Sequence, residues 1–299
     1  MREGSWVKIG GHLNAFPRAA RYAPARKHFR MHPPIVMTFA ATDPTGGAGL
    51  QADVLTLASL GCHPVSVATA ITVQDTHGVR GMHALETRWV LEQARVLLDE
   101  MPVAAFKLGV LGSAETVRAI AGLVAAHRRT PLVLDPVIAS GRGDVLATSE
   151  AVEALLKHLL PLATVLTPNS VEARRLAGVP GEASLDECAS RLIARGAAHV
   201  LITGTHEQSV EVTNTLYSAS GARSERRWRR LDGSYHGSGC TLASAIAAQL
   251  ARGLPVPDAV QAAQEFTWRA LEAGFRPATG QFLPERFYWA HDARRAALR

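Results

Sequence analysis

Cysteine is scarce. Three thiols, at 62, 188 and 240, stand in 299 residues, too few and too scattered for a disulfide framework or a zinc cluster. A reducing cytoplasm is the expected compartment. No stretch of 18 consecutive apolar residues occurs, which excludes a transmembrane helix and a membrane partner. Aromatics are few, at 6%, so an aromatic-rich binding face is not expected. An excess of positive charge is also missing from the body of the chain. Residues 1–30 hold Arg2, Lys8, Arg18, Arg21, Arg26, Lys27 and Arg30 against Glu3 alone, and the remaining 269 residues carry 25 charges of each sign. The net charge of +6 therefore belongs to a tail, and nucleic acid is excluded as a partner. That tail is read as a disordered basic extension or an organelle address ahead of one domain over 31–299.

What is present is an alternation. Short apolar runs read as buried strands at Ile35–Ala41, Pro64–Val73, Ala105–Val110, Leu132–Leu134, Thr164–Thr167 and His199–Thr203. Helical stretches lie between them, at Ala48–Leu60, Arg88–Glu100, Ala114–Arg128, Ser149–Leu160, Ser170–Ala177 and Leu185–Arg195. Gly61, Gly178 and Gly196 stand where helix C-caps belong. The alternation predicts a three-layer α/β fold, a mostly parallel central sheet with helices on both faces. Asn214–Ser218 and Arg223–Leu231 break the pattern and read as an antiparallel hairpin, followed by helices Thr241–Arg252 and Pro257–Ala273. In such sheets ligands bind beyond the carboxyl ends of the strands.

The loops at those ends carry the candidate chemistry. His236-Gly237-Ser238-Gly239-Cys240-Thr241-Leu242 opens an Ala-rich helix. Its glycines let backbone approach a ligand, and the free N–H groups of a first turn attract an anion such as a transferring phosphoryl group. Gly-x-Gly before a helix is, by itself, also the mark of a plain tight turn. Cys240 lies in that turn, where the helix terminus favours a thiolate; the alternative is a small buried hydrophobe, which is the reading for Cys62 and Cys188. Near the start, Thr42-Asp43-Pro44-Thr45-Gly46-Gly47-Ala48-Gly49-Leu50-Gln51-Ala52-Asp53 joins a strand to a helix through glycines. It is neither a Walker A motif nor Gly-x-Gly-x-x-Gly. Asp53 is able to accept a hydroxyl hydrogen bond or simply to complement a helix terminus. Asn169 and Glu172, at i and i+3 after a strand, suit a hydrated Mg²⁺ near phosphates, although spacing alone favours N-capping. Asp135, ending the run Leu132–Leu134, is a further metal-side carboxylate.

Taken in order, these motifs resemble the ribokinase-like superfamily, and within it the hydroxymethylpyrimidine/phosphomethylpyrimidine kinases of thiamin biosynthesis. The resemblance runs through Ala41–Asp53, Val73-Gln74-Asp75-Thr76-His77-Gly78-Val79, Lys107-Leu108-Gly109-Val110, Asp135-Pro136-Val137, Thr167-Pro168-Asn169 with Glu172, and Gly237-Ser238-Gly239-Cys240-Thr241-Leu242, covering roughly residues 34–290. It implies ATP and Mg²⁺ as cofactors and a small pyrimidine as the partner molecule, in a homodimer. Gln74 would read the aminopyrimidine edge and Asp53 the hydroxymethyl side, with Ala41, Ala48, Val110 and Val137 lining the pocket. Asn169, Thr203, Gly204 and His236 would serve the nucleotide, and Glu172 and Asp135 the metal. Gly237, Ser238 and Gly239 would form an anion hole, with Cys240 as the catalytic base. The chain departs from the family pattern at Ala41, Val110, Asp75 and Tyr235. Arg142 is the candidate stand-in for a missing Lys, and Gly280-Gln281-Phe282 replaces a Gly-His-Gly. A pyridoxine/pyridoxal kinase of the same fold and a non-catalytic pyrimidine-binding regulator are the competing expectations.

Overall fold

The structure is a computed structural model that describes residues 32–139, 143–144 and 146–291. The basic extension and Arg142 lie outside these described residues. In chain order the elements are β1 (Ile35–Ala41), α1 (Gly49–Ser59), β2 (His63–Asp75), β3 (Gly78–Ala84), α2 (Thr87–Glu100), β4 (Val103–Leu108), α3 (Ala114–Ala126), β5 (Leu132–Leu134) and α4 (Ser149–Ala154). They continue with β6 (Val165–Leu166), α5 (Ser170–Ala177), α6 (Leu185–Ala194), β7 (His199–Thr203), β8 (Glu211–Ser218), β9 (Arg223–Arg229), α7 (Ser238–Ala251) and α8 (Val256–Glu272).

Among the described residues the strands form one sheet in the order β3-β2-β1-β4-β5-β6-β7-β8-β9. The strands from β2 to β7 are parallel neighbours, while β3, β8 and β9 pair antiparallel. Parallel strands are covered on both faces, which is why β5 and β6 read as unbroken apolar runs. Alternate residues feed two cores. Met37, Phe39, Phe106 and Leu134 pack with Val90, Ile120, Leu159, Leu176 and Leu192 on one face. Val36, Ala105, Val133 and Leu201 meet α7 and α8 on the other. α7 is sandwiched closely enough that Thr241–Gln249 is buried throughout, and its alanines allow that approach.

Helix ends follow local chemistry. Ser113, Thr148 and Ser184 accept from backbone N–H groups as N-caps, and Gly178 closes α5 in the left-handed region. The expected helix over 149–160 is α-helical only to Ala154; a π-turn over Leu155–Leu159 and a 3₁₀ turn over Leu160–Leu162 follow, where Pro161 lacks the N–H a continuing helix would need. β3 was not expected. Its sequence, Gly-Val-Arg-Gly-Met-His-Ala, has no apolar run, and it is a strand because β2 extends two residues beyond Val73 and turns back at Thr76-His77. The chain order changes direction between β1 and β4, so the loops after these strands open a crevice at the carboxyl edge of the sheet. No helix of the described residues is long and apolar enough to cross a membrane.

Candidate active site

Two glycine turns interlock at that edge. The first follows β1. Asp43 there is fully buried and gathers the loop around its carboxylate: Oδ1 accepts from the Thr45 N–H at 2.9 Å, and Oδ2 from the Ala48 N–H at 2.6 Å. His236 Nε2 lies 2.8 Å from the same Oδ2. Burial opposes the charge on Asp43, but the His236 hydrogen bond and charge and the two backbone N–H groups prevail and hold the carboxyl below its ordinary range. Asp43 thereby ties the first turn to the second, which begins one residue after His236.

The second turn starts α7. Gly237 is its N-cap at φ 82°, a left-handed conformation, and a Cβ at this position would run into the carbonyl of Gly47. A side chain at Gly47 would in turn meet the His236 ring at 2.5 Å. The glycines thus serve a close approach of two backbones. The Gly49 N–H, from the first turn of α1, favours a thiolate on Cys240. The N–H groups of Ser238, Gly239 and Cys240 precede the first intrahelical bond, Thr241 N to Gly237 O at 2.9 Å, and form the cationic end of the helix dipole.

Beneath Cys240 lies a buried charge cluster. Lys107 Nζ sits 2.9 Å from Asp53 Oδ1 and 3.8 Å from Asp135 Oδ2, and both Lys107 and Asp53 are inaccessible to solvent. Asp53 also accepts from Ser244 at 2.7 Å and from Thr38. Its oxygens point into the protein and are filled, so the substrate-facing role expected for Asp53 does not match its position; it balances Lys107 instead. Breaking such a buried pair on one side generally costs about 3–5 kcal/mol. Burial pulls the Lys107 ammonium down, but Asp53, Cys240 and Asp135 outweigh it and hold it above its usual value.

The thiol of Cys240 lies against the Asp135 carboxylate. Burial pushes that thiol up to about 12, with Lys107 opposing. This corrects the expectation of a resting thiolate: removal from water outweighs the helix terminus. Burial also pushes Asp135 up to about 6. Glu172 is pushed up to about 8 by burial and then by the negative charge of Asp135. Asp135 Oδ2 has no hydrogen-bond partner, whereas Glu172 completes a capping box with Asn169, accepting from its N–H at 3.0 Å. The capping reading of Asn169–Glu172 is therefore realised. Two buried carboxylates, Asp135 raising Glu172 and carrying an oxygen with no hydrogen-bond partner, fit a hydrated divalent cation.

The other candidates fall around this centre. Asn169 and Thr203 form a parallel bridge at the ends of β6 and β7, and the Gly204 N–H donates to Asn214 Oδ1 at 3.2 Å. A Cβ at Gly204 would strike the Thr213 carbonyl. Val110 and Val137 line one small cavity with Gly109, Leu111 and Ile138. Gln74, at the end of β2, donates to Thr72 Oγ1 at 2.7 Å; Ala41 is buried at a register shift of β1, and Ala48 caps α1. Cys62 and Cys188 are buried free thiols away from this centre. Three participants had no assigned role in the sequence. Asp43 carried a signal, the Asx-turn pattern Asp-Pro-Thr-Gly. Lys107 carried one as a charge inside an apolar run. Arg286 carried none.

A family model described as phosphomethylpyrimidine kinase matches residues 43–284. The chain belongs to the phosphomethylpyrimidine kinase family. A hydroxymethylpyrimidine/phosphomethylpyrimidine kinase of Streptomyces coelicolor is 43% identical over 264 residues, 86% of this chain and 96% of the relative. Among solved structures, a Bacillus subtilis pyridoxal kinase in complex with ADP superposes with TM-score 0.78 at 29% identity, covering 85% of this chain and 97% of its own. A Clostridium difficile phosphomethylpyrimidine kinase gives TM-score 0.70 at 32% identity, covering 80% of this chain and 99% of its own. The ribokinase-like architecture expected from the motifs is the architecture found.

Proposed function

We propose that this family member transfers the γ-phosphoryl group of ATP to the hydroxymethyl oxygen of 4-amino-5-hydroxymethyl-2-methylpyrimidine, and then phosphorylates the monophosphate, in thiamin diphosphate biosynthesis. The observation that carries the reading is the close packing of the Gly237–Cys240 turn on the Gly46–Gly49 loop, Gly237 against the Gly47 carbonyl, at the start of α7 where Cys240 lies. Cys240 Sγ receives the proton of the substrate hydroxyl, that oxygen bonds to phosphorus, and the β–γ bridging bond breaks to leave ADP. The N–H groups of Gly237, Ser238 and Gly239 and the first turn of α7 offset the charge that develops on the transferring group. Gln74, Ala41, Ala48, Val110 and Val137 hold the pyrimidine, and Asn169, Thr203, Gly204 and His236 lie on the nucleotide side. Asp135 and Glu172 would hold Mg²⁺, which would neutralise their mutual repulsion and the phosphate charge when bound. The enzyme acts in the cytoplasm as a homodimer, its kinase domain beginning near Met31.

A second reading, phosphorylation of pyridoxal or pyridoxine, is favoured by the closer superposition on pyridoxal kinase, and both substrates present a hydroxymethyl group on an aromatic nitrogen ring. Incubation with Mg-ATP and each alcohol separately, followed by mass spectrometry, tests both. Mono- and diphosphate from the pyrimidine are expected. Turnover of the pyridoxines alone moves the function to vitamin B6, and no product from any alcohol supports a binding protein without turnover.

A further inference from the structure

Arg286 lies beyond α8, in a segment with no expected function, yet it is 3% exposed. Its guanidinium reaches two elements at once. Nη2 donates to Gly47 O at 2.5 Å and Nη1 to Gly46 O at 3.3 Å, both in the loop after β1. Nε donates to Thr241 Oγ1 at 3.1 Å, in the first turns of α7. Thr241 Oγ1 passes the link on, donating to Gly237 O at 2.8 Å. Gly237 packs on the Gly47 carbonyl, so three hydrogen bonds and one backbone contact close a ring: Arg286, Gly47, Gly237, Thr241 and back to Arg286. The segment is itself anchored, since Ser59 Oγ donates to Arg286 O at 2.5 Å and Trp289 Nε1 to Ser59 Oγ at 2.9 Å.

This placement is electrostatically unfavourable unless something offsets it. The three acceptors among the described residues are neutral oxygens, so the carboxylates of Asp43, Asp53 and Glu285 offset the charge only from a distance. A cation beside the N-terminal end of a helix opposes the helix dipole. Burial pulls the guanidinium down to about 10, with Cys240, Asp53, Asp43 and Glu285 opposing in part. A planar fork that spans two chain segments is, however, what arginine supplies and lysine does not.

We infer that Arg286 is a positioning residue for phosphoryl transfer: its fork fixes the spacing between the Gly46–Gly47 loop and the Gly237–Cys240 turn, so that N–H groups from both converge on one anion. This rests on the kinase reading above. The role belongs to the transition state more than to substrate binding, because the interlock holds the turn that meets the transferring group, and of the residues placed around the pyrimidine ring it meets only the backbone of Ala48. A misplacement of about 1 Å at a reacting centre costs on the order of 100-fold in rate.

The test is steady-state kinetics of Arg286→Lys, Thr241→Val and the double variant, with Mg-ATP and the pyrimidine alcohol, alongside thermal melting. Arg286→Lys keeps the charge and removes the fork. It is expected to lower kcat roughly 10- to 100-fold while leaving KM for the pyrimidine within about threefold. Thr241→Val cuts the same ring at its other side, so the double variant should be no slower than the worse single one. Full activity in Arg286→Lys, a parallel rise in KM, or multiplicative losses in the double variant would each overturn the inference. If Arg286→Lys does not fold, the kcat-against-KM pattern of Thr241→Val decides alone. A parent enzyme inactive on every alcohol overturns the kinase reading itself, whereas an active parent with unaffected variants overturns only the role of Arg286.

Discussion

Cys240 is asked to accept a proton in surroundings that keep it protonated. Its neighbours are mixed: Lys107 and the helix terminus favour the thiolate, while burial, Asp135 and Asp53 oppose it. With the thiol held at about 12, the thiolate fraction increases with pH across the accessible range. The rate with saturating substrates should therefore climb from pH 7 to 9, and Cys240→Ala should lose that slope together with roughly 100- to 10,000-fold in kcat. Calorimetric titration should show the variant binding the pyrimidine as the parent does. A variant that turns over at the parental rate would remove Cys240 from the chemistry. Gly239, exposed in the same turn, has no such demand on it and leaves the backbone N–H as its contribution.

At the scale of elements, the site is two turns held by contacts that run between β1, α1 and α7. Gly237→Ala is the sharpest probe of that interlock. The left-handed φ alone costs an alanine about 1–2 kcal/mol, and its Cβ meets a carbonyl rather than a side chain able to move aside. Thermal melting should show a loss of several degrees, and kcat should fall more than binding does. The sequence announced these turns because their demands are local: glycines where φ is positive, an Asp two residues before a Thr, a Ser or Asn ahead of a helix. The parallel strands were legible for the same reason, since burial on both faces writes continuous apolar runs. β3 was not legible, because its residues are set by pairing with β2 rather than by their own pattern. Asp53 was misread for a related reason: one turn into a helix it looks like a ligand to substrate, and only the tertiary arrival of Lys107 and Ser244 shows where its charge is spent.

The whole molecule feels the site through linkage. The unfolded chain ionises Glu172 near the ordinary carboxylate value, whereas the folded chain does so only near 8. Between those values folding takes up a proton, so stability falls as pH rises through that window. Glu172→Gln removes the titration and keeps an oxygen for the Asn169 N–H. The difference in melting temperature, variant minus parent, should therefore become more positive between pH 5 and pH 9. A difference that stays flat would show that Glu172 is ionised in the folded chain throughout.

The ring closed by Arg286 also fixes when in its life the enzyme can begin to work. Gly46 and Arg286 stand 240 residues apart, so the two glycine turns are tied together only after the chain through Arg286 has been made. All nine strands and eight α-helices of the described residues precede that point in sequence. A chain that stopped before Arg286 would carry both glycine turns without the fork between them, and its turnover should be no faster than that of Arg286→Lys.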